Sequence, residues 1–388
     1  MRLAIVRQRY TPFGGAERFV ERALHALAQR GVELTLLTRR WPGGAQRLFT
    51  PVIVNPPYVG RLWRDRGFAR AVRATLAASG ATLVQSHERI DCCDIYRAGD
   101  GLHSVWLDER LAGAGALERI RVRASPYHRY VLDAERRLFA SERLQRVICI
   151  SRMVQGDIRE RFGLAIERLP VIYNAIDGDE FNPRLAEGRA ATRATLRIGV
   201  DRVVFLLVGS GYERKGVGRA LEALAGVPAP AHLVVVGHDR NPARYVALAR
   251  RLGVAGRVTF AGPQADPRPY YGASDVFVLP TLYDPLSNAV LEALACGLPV
   301  ITSTRCGAGE LVALHGAGVI CGARDIAALG GAMRDLCAPA VRERMAATAR
   351  DAVAGLTPAA MAARLVDLYA SLLDPAAGPG DAHAAALY

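Results

Sequence analysis

Short apolar runs alternate with helical patterns along most of this chain. Residues 3–6 and 32–38 are apolar runs, and residues 16–30 between them carry apolar side chains at helical spacing. The first pattern indicates a buried strand, and the second indicates an amphipathic helix. The chain therefore opens as strand, helix and strand, which predicts a parallel sheet with right-handed crossovers.

The alternation repeats more regularly beyond residue 200. Five further apolar runs, separated by helical patterns, span residues 203–208, 233–236, 258–260, 276–279 and 300–302. This pattern predicts a second doubly wound sheet. We therefore expect an α/β protein with two Rossmann-like domains that face each other across a ligand-binding cleft.

The length of 388 residues also favours two domains, because it exceeds one ordinary hydrophobic core. A fresh cycle of strand, loop and helix starts at residue 203, after a weakly patterned stretch. We place the first domain at residues 1–170 and the second at residues 171–357.

The chain is strongly basic, with a formal net charge of +13 and an isoelectric point near 9.8. Such a charge indicates an anionic partner: nucleic acid, an acidic membrane surface or a phosphorylated substrate. No recognised RNA-binding signature accompanies the charge, so we expect no nucleic acid. The seven cysteines form no C-x-x-C pair, which favours a reducing cytosol over a disulfide framework or a zinc site.

The sequence predicts no signal peptide and no membrane span. Its N-terminal apolar run is too short for the first, and no stretch approaches about 18 uninterrupted apolar residues. We therefore expect a soluble, cytoplasmic protein. The segment 117–144 interleaves arginines with apolar residues, and two interpretations of it stay open. It is either a basic amphipathic helix on an anionic membrane or a solvated helix packed on its own sheet.

A glycine-rich loop follows the apolar run at residues 203–208 and contains Lys215, the only lysine of the chain. Arg214 precedes it, where a strand gives way to a helix. Backbone N–H groups and the positive end of a helix dipole favour phosphate oxygens at such a point. The spacing is neither that of a P-loop nor that of G-x-G-x-x-G. The loop alone supports phosphate binding and a chance exception to the arginine bias about equally.

The first domain offers glycines and polar side chains near predicted strand ends. Gly14 and Gly15 follow the first strand, where open α/β sheets bind ligands. His87, Asp100 and His103 follow later apolar segments and are candidates for lining the cleft. Each set also has an ordinary interpretation, as a tight turn or as structural side chains.

Asp284 and Glu292 are eight residues apart, one in a loop after a strand and one on the following helix. A carboxylate can accept hydrogen bonds from two vicinal hydroxyls, and a sugar plus a ribose present two such diols. The N–H groups of Leu286, Ser287 and Asn288 are expected to point toward whatever occupies the strand ends. Taken alone, the two carboxylates are better explained as a helix cap and an exposed helix glutamate.

The stretch from Asp284 to Val300 resembles the E-x7-E signature of retaining GT-B glycosyltransferases of family four, including the trailing E-A-x-A-x-G-x-P-V at residues 292–300. Three further motifs resemble that family in the expected order: Gly14-Gly15, Asn-Ala-Ile-Asp at residues 174–177, and Arg-Lys-Gly at residues 214–216. The resemblance extends from residue 1 to about residue 373. Two positions depart from it. Asp284 replaces a glutamate, and Ser210 stands where an arginine is expected, so that Arg214 would supply the guanidinium.

Within the family, residues 12–15, 127–139 and 209–216 are most similar to lipopolysaccharide core glucosyltransferases. The resemblance implies transfer of a hexose, glucose from UDP-glucose, with retention onto a saccharide or glycolipid acceptor such as the lipopolysaccharide core. It also implies that the final helix, residues 358–373, returns to the first domain. The tail 374–388 is expected to be disordered.

The resemblance further implies the role of each candidate residue. Arg214 and Lys215 would stabilise the diphosphate leaving group, and Glu292 would hold the ribose. Asp284 and the backbone of residues 286–288 would bind the donor sugar. Ser210, Gly14 and Gly15 would lie beside the donor. His87, Asp100 and His103 would lie on the acceptor side, with His87 and Asp100 among the catalytic residues.

The resemblance implies neither a cofactor nor a divalent metal. Two other functions stay open: a non-catalytic protein that binds sugar nucleotides or glycans, and a GT-B sugar-nucleotide epimerase, which would convert the donor without an acceptor. If the segment 117–144 contacts lipid, the protein would be peripheral on the inner face of the cytoplasmic membrane.

Overall fold

Parallel strands buried on both faces form the centre of each half of the chain. The computed structural model describes residues 2–8, 33–40, 50–228 and 230–373. The first sheet contains β1 (Arg2–Val6), β2 (Glu33–Thr38), β3 (Thr50–Ile53), β4 (Leu83–Ser86), β5 (Ile95–Arg97) and β6 (Arg146–Ile148). The second sheet contains β7 (Val203–Val208), β8 (Ala231–Val236), β9 (Val258–Gly262), β10 (Val276–Leu279), β11 (Val300–Ser303) and β12 (Gly318–Cys321).

The two sheets have the same strand order, β3-β2-β1-β4-β5-β6 in the first and β9-β8-β7-β10-β11-β12 in the second. This is the order of the doubly wound dinucleotide-binding fold. The order reverses between β1 and β4 in one sheet and between β7 and β10 in the other. Ligands of such sheets bind outside the carboxyl ends of the strands at these reversals.

Helices connect the strands and cover both sheets. In the described part of the chain they are α1 (Gly60–Ser79), α2 (His103–Leu111), α3 (Ala116–Ala124), α4 (Pro126–Phe139), α5 (Arg152–Phe162), α6 (Arg189–Thr195), α7 (Tyr212–Lys215), α8 (Val217–Ala225), α9 (Pro242–Arg251), α10 (Arg268–Gly272), α11 (Asn288–Ala295), α12 (Gly309–Leu314), α13 (Ile326–Asp335), α14 (Pro339–Ala349) and α15 (Pro358–Leu373).

The final helix α15 packs on the first sheet, far from its neighbours in the sequence. Leu3 and Ile5 of β1 point to one face of the sheet, where they share a core with Leu365 and Tyr369 of α15. The hydroxyl of Tyr369 donates to Gln85 Oε1 of β4 at 2.7 Å. The last helix of the chain therefore covers one face of the first sheet.

The two domains meet at the start of α5. Ser151 Oγ donates to the carbonyl oxygen of Pro285 at 2.6 Å. The Glu310 carboxylate accepts from the N–H groups of Arg152 and Met153 at 2.8 and 3.1 Å. A carboxylate at this position satisfies N–H groups that have no partner within the helix and opposes the positive end of the helix dipole. The second domain therefore caps a helix of the first.

The basic segment 117–144 is two helices rather than one. Pro126 has no N–H group and starts α4, because proline is tolerated in the first turn of a helix but not in its interior. Ser125 caps α4, and its hydroxyl accepts from the N–H group of His128 at 3.4 Å. The predicted continuous helix is therefore interrupted at this proline.

The apolar pattern does not predict two of the strands, β3 and β12. Each has only four residues, and both are half-buried strands at sheet edges. The first sheet also reaches beyond residue 170, because Val171 forms a parallel bridge with Cys149 and Ile172 lies in the core of the first domain. The crossover to the second domain thus begins just after residue 172.

The stretch Pro339–Leu373 is long enough to cross a membrane, and an 18-residue window within it has a mean hydropathy of 1.2, with 22% of that window buried. It consists of two helices, α14 and α15, with residues 350–357 between them. Buried residues of α15 pack in the core of the first domain. Packing within the protein therefore accounts for the apolar character of α15.

Candidate active site

A cavity of about 700 Å³ lies between the two domains. Its volume is in the range of small-molecule sites, roughly 300–1,000 Å³. The loops after β7 and β10, together with α11, form one wall. The segment after β5 and the helices α2 and α4 contribute to the other. The predicted residues on these walls are Ser210, Arg214, Lys215, Asp284, Ser287, Asn288, Glu292, Asp100 and His103.

A buried ion pair joins the two loops of the second domain. Lys215 Nζ lies 2.5 Å from Asp284 Oδ2, and both side chains are about nine-tenths buried. Arg214 Nη1 lies 3.6 Å from the same oxygen and is 38% exposed. Burial alone would raise the pKa of Asp284, but the charges of Lys215 and Arg214 and hydrogen bonds from Lys215 and the Leu286 N–H group outweigh it and lower that pKa.

Asp284 is therefore ionised at neutral pH. Because its pKa is lowered in the folded state, its contribution to stability is present above the unfolded-state pKa of about 3.9. That contribution is lost as the pH falls through the lower folded-state value.

Gly216 allows the two loops to come close enough for this pair. It has a φ of 84°, and a Cβ there would lie 2.1 Å from the carbonyl oxygen of Pro280. The carbonyl oxygen of Arg214 accepts from the N–H group of Leu282 and the hydroxyl of Thr281, at 2.8 and 2.9 Å. Backbone contacts therefore fix Lys215 beside Asp284.

The N–H groups of the loop after β7 already have protein partners. Each of three donates at 2.8 Å: Gly209 to Val236 O, Gly211 to His238 O and Tyr212 to Asp239 Oδ2. The sequence predicts that backbone N–H groups of this loop bind phosphate. The structure differs for these three, because each already donates to a protein oxygen. The hydroxyl of Ser210 is likewise engaged, accepting from the His238 N–H group at 3.2 Å. The side chains of Arg214 and Lys215 are thus the loop's main candidates for phosphate contacts.

Ser287 combines backbone strain with an unpaired hydroxyl. It precedes α11 with a φ of 67°, which is unfavourable for residues other than glycine and costs roughly 1–3 kcal/mol. Its hydroxyl oxygen is buried and has no hydrogen-bond partner within the described residues. Both costs fall on one residue of the cavity wall. Such a combination favours a ligand-binding role.

Two side chains of α11 are held by Tyr271, which the sequence does not single out, and by Asn174 of the Asn-Ala-Ile-Asp motif. Tyr271 is buried and donates its hydroxyl to Glu292 Oε2 at 2.6 Å. Asn174, in the crossover between domains, donates to Asn288 Oδ1 at 2.7 Å and accepts from Arg97 Nη2 at 2.7 Å. Glu292 and Asn288 are therefore oriented before any ligand binds.

The opposite wall contains a cluster of rings around His103. Its Nε2 lies 3.1 Å from Nδ1 of His128, and the rings of Trp106 and Tyr127 are centred 5.4 and 6.5 Å from its own. Burial, followed by the charges of Arg89, His128 and Arg61, lowers the pKa of His103 to about 3. His103 is therefore a neutral and weakly basic imidazole at neutral pH. Asp100 lies on the same wall.

His87 does not lie on the described walls of this cavity. Its ring is buried, with Nε2 3.2 Å from Gln85 Nε2 and Nδ1 3.4 Å from Arg7 Nη1. Burial, then the charges of Arg7 and Arg97, lowers the pKa of His87 well below its usual value. Its catalytic role stays a prediction without a contact to the described cavity.

Two further expectations concern the glycine pair after the first strand and a bound metal ion. Gly14 and Gly15 lie outside the described residues. Within the residues that the structure does describe, no group of three or more His, Cys, Asp or Glu side chains could hold a metal ion.

Several wall residues escape the sequence analysis: Arg61, Arg89, Trp106, Tyr127, His128 and Tyr283. Tyr127 and His128 lie in the basic segment 117–144, and the other four lie in segments where these side chains carry no signal of their own. Only the fold brings these segments beside Lys215. Tyr271 carries no signal of its own, since its partner Glu292 is 21 residues away.

Comparison with known proteins matches both halves of the chain. The family described as glycosyl transferases group 1 matches residues 202–338, and glycosyltransferase family 4 matches residues 13–180. The lipopolysaccharide glucosyltransferase WaaG of Escherichia coli is 27% identical over 326 residues, which cover 82% of this chain and 85% of WaaG.

Solved structures agree over nearly the whole chain. A crystal structure of WaaG has a TM-score of 0.80 at 25% identity and covers 94% of this chain and 99% of its own. Anabaena Alr3699/HepE, in complex with UDP and glucose, has a TM-score of 0.70 at 19% identity, covering 96% and 100%. The second likeness concerns the fold alone. With both family models and the WaaG structure in agreement, the chain belongs to the retaining glycosyltransferases of family four and has the GT-B fold.

Proposed function

We propose that this enzyme transfers glucose from UDP-glucose, with retention at the anomeric carbon, onto a saccharide of the lipopolysaccharide core. The observation that carries the proposal is the buried Lys215–Asp284 pair beside Arg214, in one cavity with Asp100 and His103. Cations on one wall suit the donor diphosphate. Polar groups on the other wall suit an acceptor with several hydroxyls.

Lys215 and Arg214 stabilise the leaving group in this proposal. Breaking the bond between the anomeric carbon and the diphosphate oxygen leaves negative charge on the β-phosphate. Cations that are already in place stabilise this charge without reorganisation. The Lys215 ammonium has three N–H donors, and the Asp284 contact at 2.5 Å uses one of them. Two remain for phosphate oxygens.

Asp284 acts here mainly on Lys215. Its carboxylate accepts a hydrogen bond from the buried ammonium and directs it, so Asp284 is a positioning residue for the leaving-group contact. The Leu286 N–H group also donates to this carboxylate, which leaves little of it for the donor sugar. The direct contact from Asp284 to the donor sugar therefore stays a prediction.

Retention requires the acceptor hydroxyl to replace the diphosphate on the same face of the sugar. A bond forms from the acceptor oxygen to the anomeric carbon, the bond to the diphosphate breaks, and the hydroxyl proton leaves. The pKa of His103, near 3, makes its imidazole a poor base for this proton. An oxygen of the departing phosphate, held by Lys215, is the better acceptor. His103 and Asp100 then orient the acceptor.

The choice of donor and acceptor is supported by the relatives and by Glu292. WaaG is a lipopolysaccharide glucosyltransferase, and Alr3699/HepE was solved with UDP and glucose. Glu292, held by the Tyr271 hydroxyl, presents a fixed carboxylate to the ribose diol.

We also propose that the enzyme works at the cytoplasmic face of an anionic membrane. Helix α3 exposes Leu117 and Ile120, at 71% and 63% of their surface. Arg119, Arg121 and Arg123 are exposed on the same helix. Apolar side chains flanked by arginines suit the interface of an anionic bilayer.

Donor and acceptor can be tested with a panel of UDP-glucose, UDP-galactose, GDP-mannose and ADP-glucose. We expect UDP-glucose to raise the melting temperature by several degrees when present at about 100 times its Kd. Glucose transfer should require a lipopolysaccharide core acceptor, and NMR of the product should show an α-glycosidic bond. Conversion of the donor to another hexose without acceptor would instead indicate an epimerase.

Substitution of the buried pair should separate its structural and chemical roles. Lys215→Met leaves the buried Asp284 with only the part-exposed Arg214, at 3.6 Å, as a cationic partner, so we expect a loss of roughly 3 kcal/mol in the free energy of urea unfolding. The double variant Lys215→Met with Asp284→Asn should recover most of that stability. Transfer should stay reduced by roughly 100- to 1,000-fold in both. Near wild-type transfer by the stable double variant would refute the leaving-group role.

Two substitutions at Ser287 distinguish strain from binding. Ser287→Ala removes the hydroxyl and keeps the strained backbone, whereas Ser287→Gly removes both. We expect the free energy of unfolding in urea to be about 1 kcal/mol higher for the glycine variant than for the alanine variant. Both variants should raise the KM for UDP-glucose roughly 3- to 10-fold through the lost hydrogen bond. An unchanged KM in both would show that the hydroxyl does not touch the donor.

Membrane contact can be tested by co-sedimentation with phosphatidylglycerol vesicles. Leu117→Ser with Ile120→Ser should weaken binding several-fold, and added salt should weaken binding of the wild type. Val200→Ser with Leu314→Ser is the matched control, since these residues are also exposed, at 88% and 63%, on the second domain. Equal sedimentation of the two double variants would exclude α3 as the contact.

A further inference from the structure

A second cavity, of about 490 Å³, lies on the first domain between α1 and α4. Its wall carries far more positive than negative charge. The ionisable residues with full charges are five arginines and two aspartates: Arg66, Arg70, Arg73, Arg89, Arg137, Asp91 and Asp133. We call this space the arginine cavity.

The two aspartates are already engaged by arginines of the same wall. Asp91 pairs with Arg73, and its other oxygen lies 3.8 Å from Arg137 Nε. Asp133 pairs with Arg137, one helical turn away. These carboxylates therefore offset Arg73 and Arg137 and leave no further negative charge for the rest of the wall.

Arg66 and Arg70 supply the uncompensated charge. Both lie on α1 and are exposed. No described carboxylate lies within 4.0 Å of either guanidinium. Each presents a planar set of N–H donors, which matches the oxygens of phosphate and carboxylate groups.

The arginine cavity adjoins the active site, with one smaller space between them. A smaller space of about 220 Å³ shares Arg89 and Tyr130 with the arginine cavity, and shares Asp100 and His103 with the cleft between the domains. Arg89 lines all three spaces. The path of an acceptor from the cleft to Arg66 along the first domain would therefore pass Arg89.

Arg89 is fixed at the middle of this path. Its Nε lies 3.1 Å from the buried Glu135, and its Nη2 donates to the carbonyl oxygen of Gly101 at 2.9 Å. Glu135 also accepts from the N–H groups of His103 and Ser104, at 2.7 and 3.1 Å. Arg89 is thus tied to the segment that carries Asp100 and His103, which fixes its position relative to the active-site end of the path.

We propose that the arginine cavity binds an anionic substituent, phosphate or carboxylate, on the acceptor saccharide. The donor diphosphate already has its cations, Arg214 and Lys215, on the second domain. Arg66 and Arg70 belong to the first domain, on the side of Asp100 and His103. The inference rests on the proposed function in one respect, which is that this side receives the acceptor.

A double substitution, Arg66→Gln with Arg70→Gln, tests the proposal. Its matched control is Arg250→Gln with Arg251→Gln, two exposed arginines at the end of α9 in the second domain. The probe is the glycolipid isolated from host cells that lack this gene. It is used in four forms: intact, deacylated, treated with hydrofluoric acid to remove phosphate, and with its carboxyl groups reduced. Calorimetry gives the Kd of each form, so that no transfer reaction is needed.

We expect the Arg66/Arg70 variant to bind the intact and the deacylated glycolipid roughly tenfold more weakly than wild type. The control variant should bind as wild type does, and the KM for UDP-glucose should be unchanged in all three proteins. Either removal of phosphate or reduction of carboxyls should weaken wild-type binding to the level of the variant, and that treatment identifies the anion.

Three results would overturn the proposal. One is equal binding of the glycolipid by the variant and the control. Another is a difference that vanishes on deacylation, because the arginines would then contact lipid rather than saccharide. The third is a difference that survives both chemical treatments. Failure of the proposed function would look different, as an absence of glucose transfer by the wild type with its glycolipid binding intact.

Discussion

The contact between Lys215 and Asp284 is the interaction on which the donor wall depends. It joins the loops after β7 and β10 at the point where the strand order of the second sheet reverses. Burying two charges is costly, and only a short and well-oriented pair recovers that cost. Gly216 makes the pair feasible because its missing side chain lets one loop rest against Pro280. The pair holds the Lys215 ammonium in a fixed position within a largely buried site.

Charge is divided between the two domains in a way that suits a two-substrate reaction. The second domain places one lysine and one arginine beside a single carboxylate, which leaves a small positive surplus for a diphosphate. The first domain has a separate group of arginines, of which Arg73 and Arg137 are offset by Asp91 and Asp133. Each domain thus has its own group of cations beside a cavity, in a chain whose formal net charge of +13 already favours anions.

Much of the fold can be predicted from the sequence, because strands buried on both faces leave continuous apolar runs such as residues 203–208. The sequence also predicts that Asp284 lies in a loop and Glu292 on the helix that follows it, and the structure has both residues there. The pairing of Lys215 with Asp284 cannot be predicted this way, because 69 residues separate them. The acceptors of the Gly209 and Gly211 N–H groups cannot be predicted either, because they are carbonyl oxygens at the end of β8 and just after it. Long-range contacts decide these points, and periodicity carries no information about them.

The return of α15 to the first sheet has a consequence for how the chain matures on the ribosome. Domains usually fold in order as they emerge during synthesis. Here one face of the first sheet, with Leu3 and Ile5, stays uncovered until residues 358–373 are made. The nascent first domain must wait for the whole second domain, with an apolar face open to chaperones and to aggregation. Its final assembly therefore follows the synthesis of the second domain, and in a chain truncated before α15 the first domain would unfold more easily than the second.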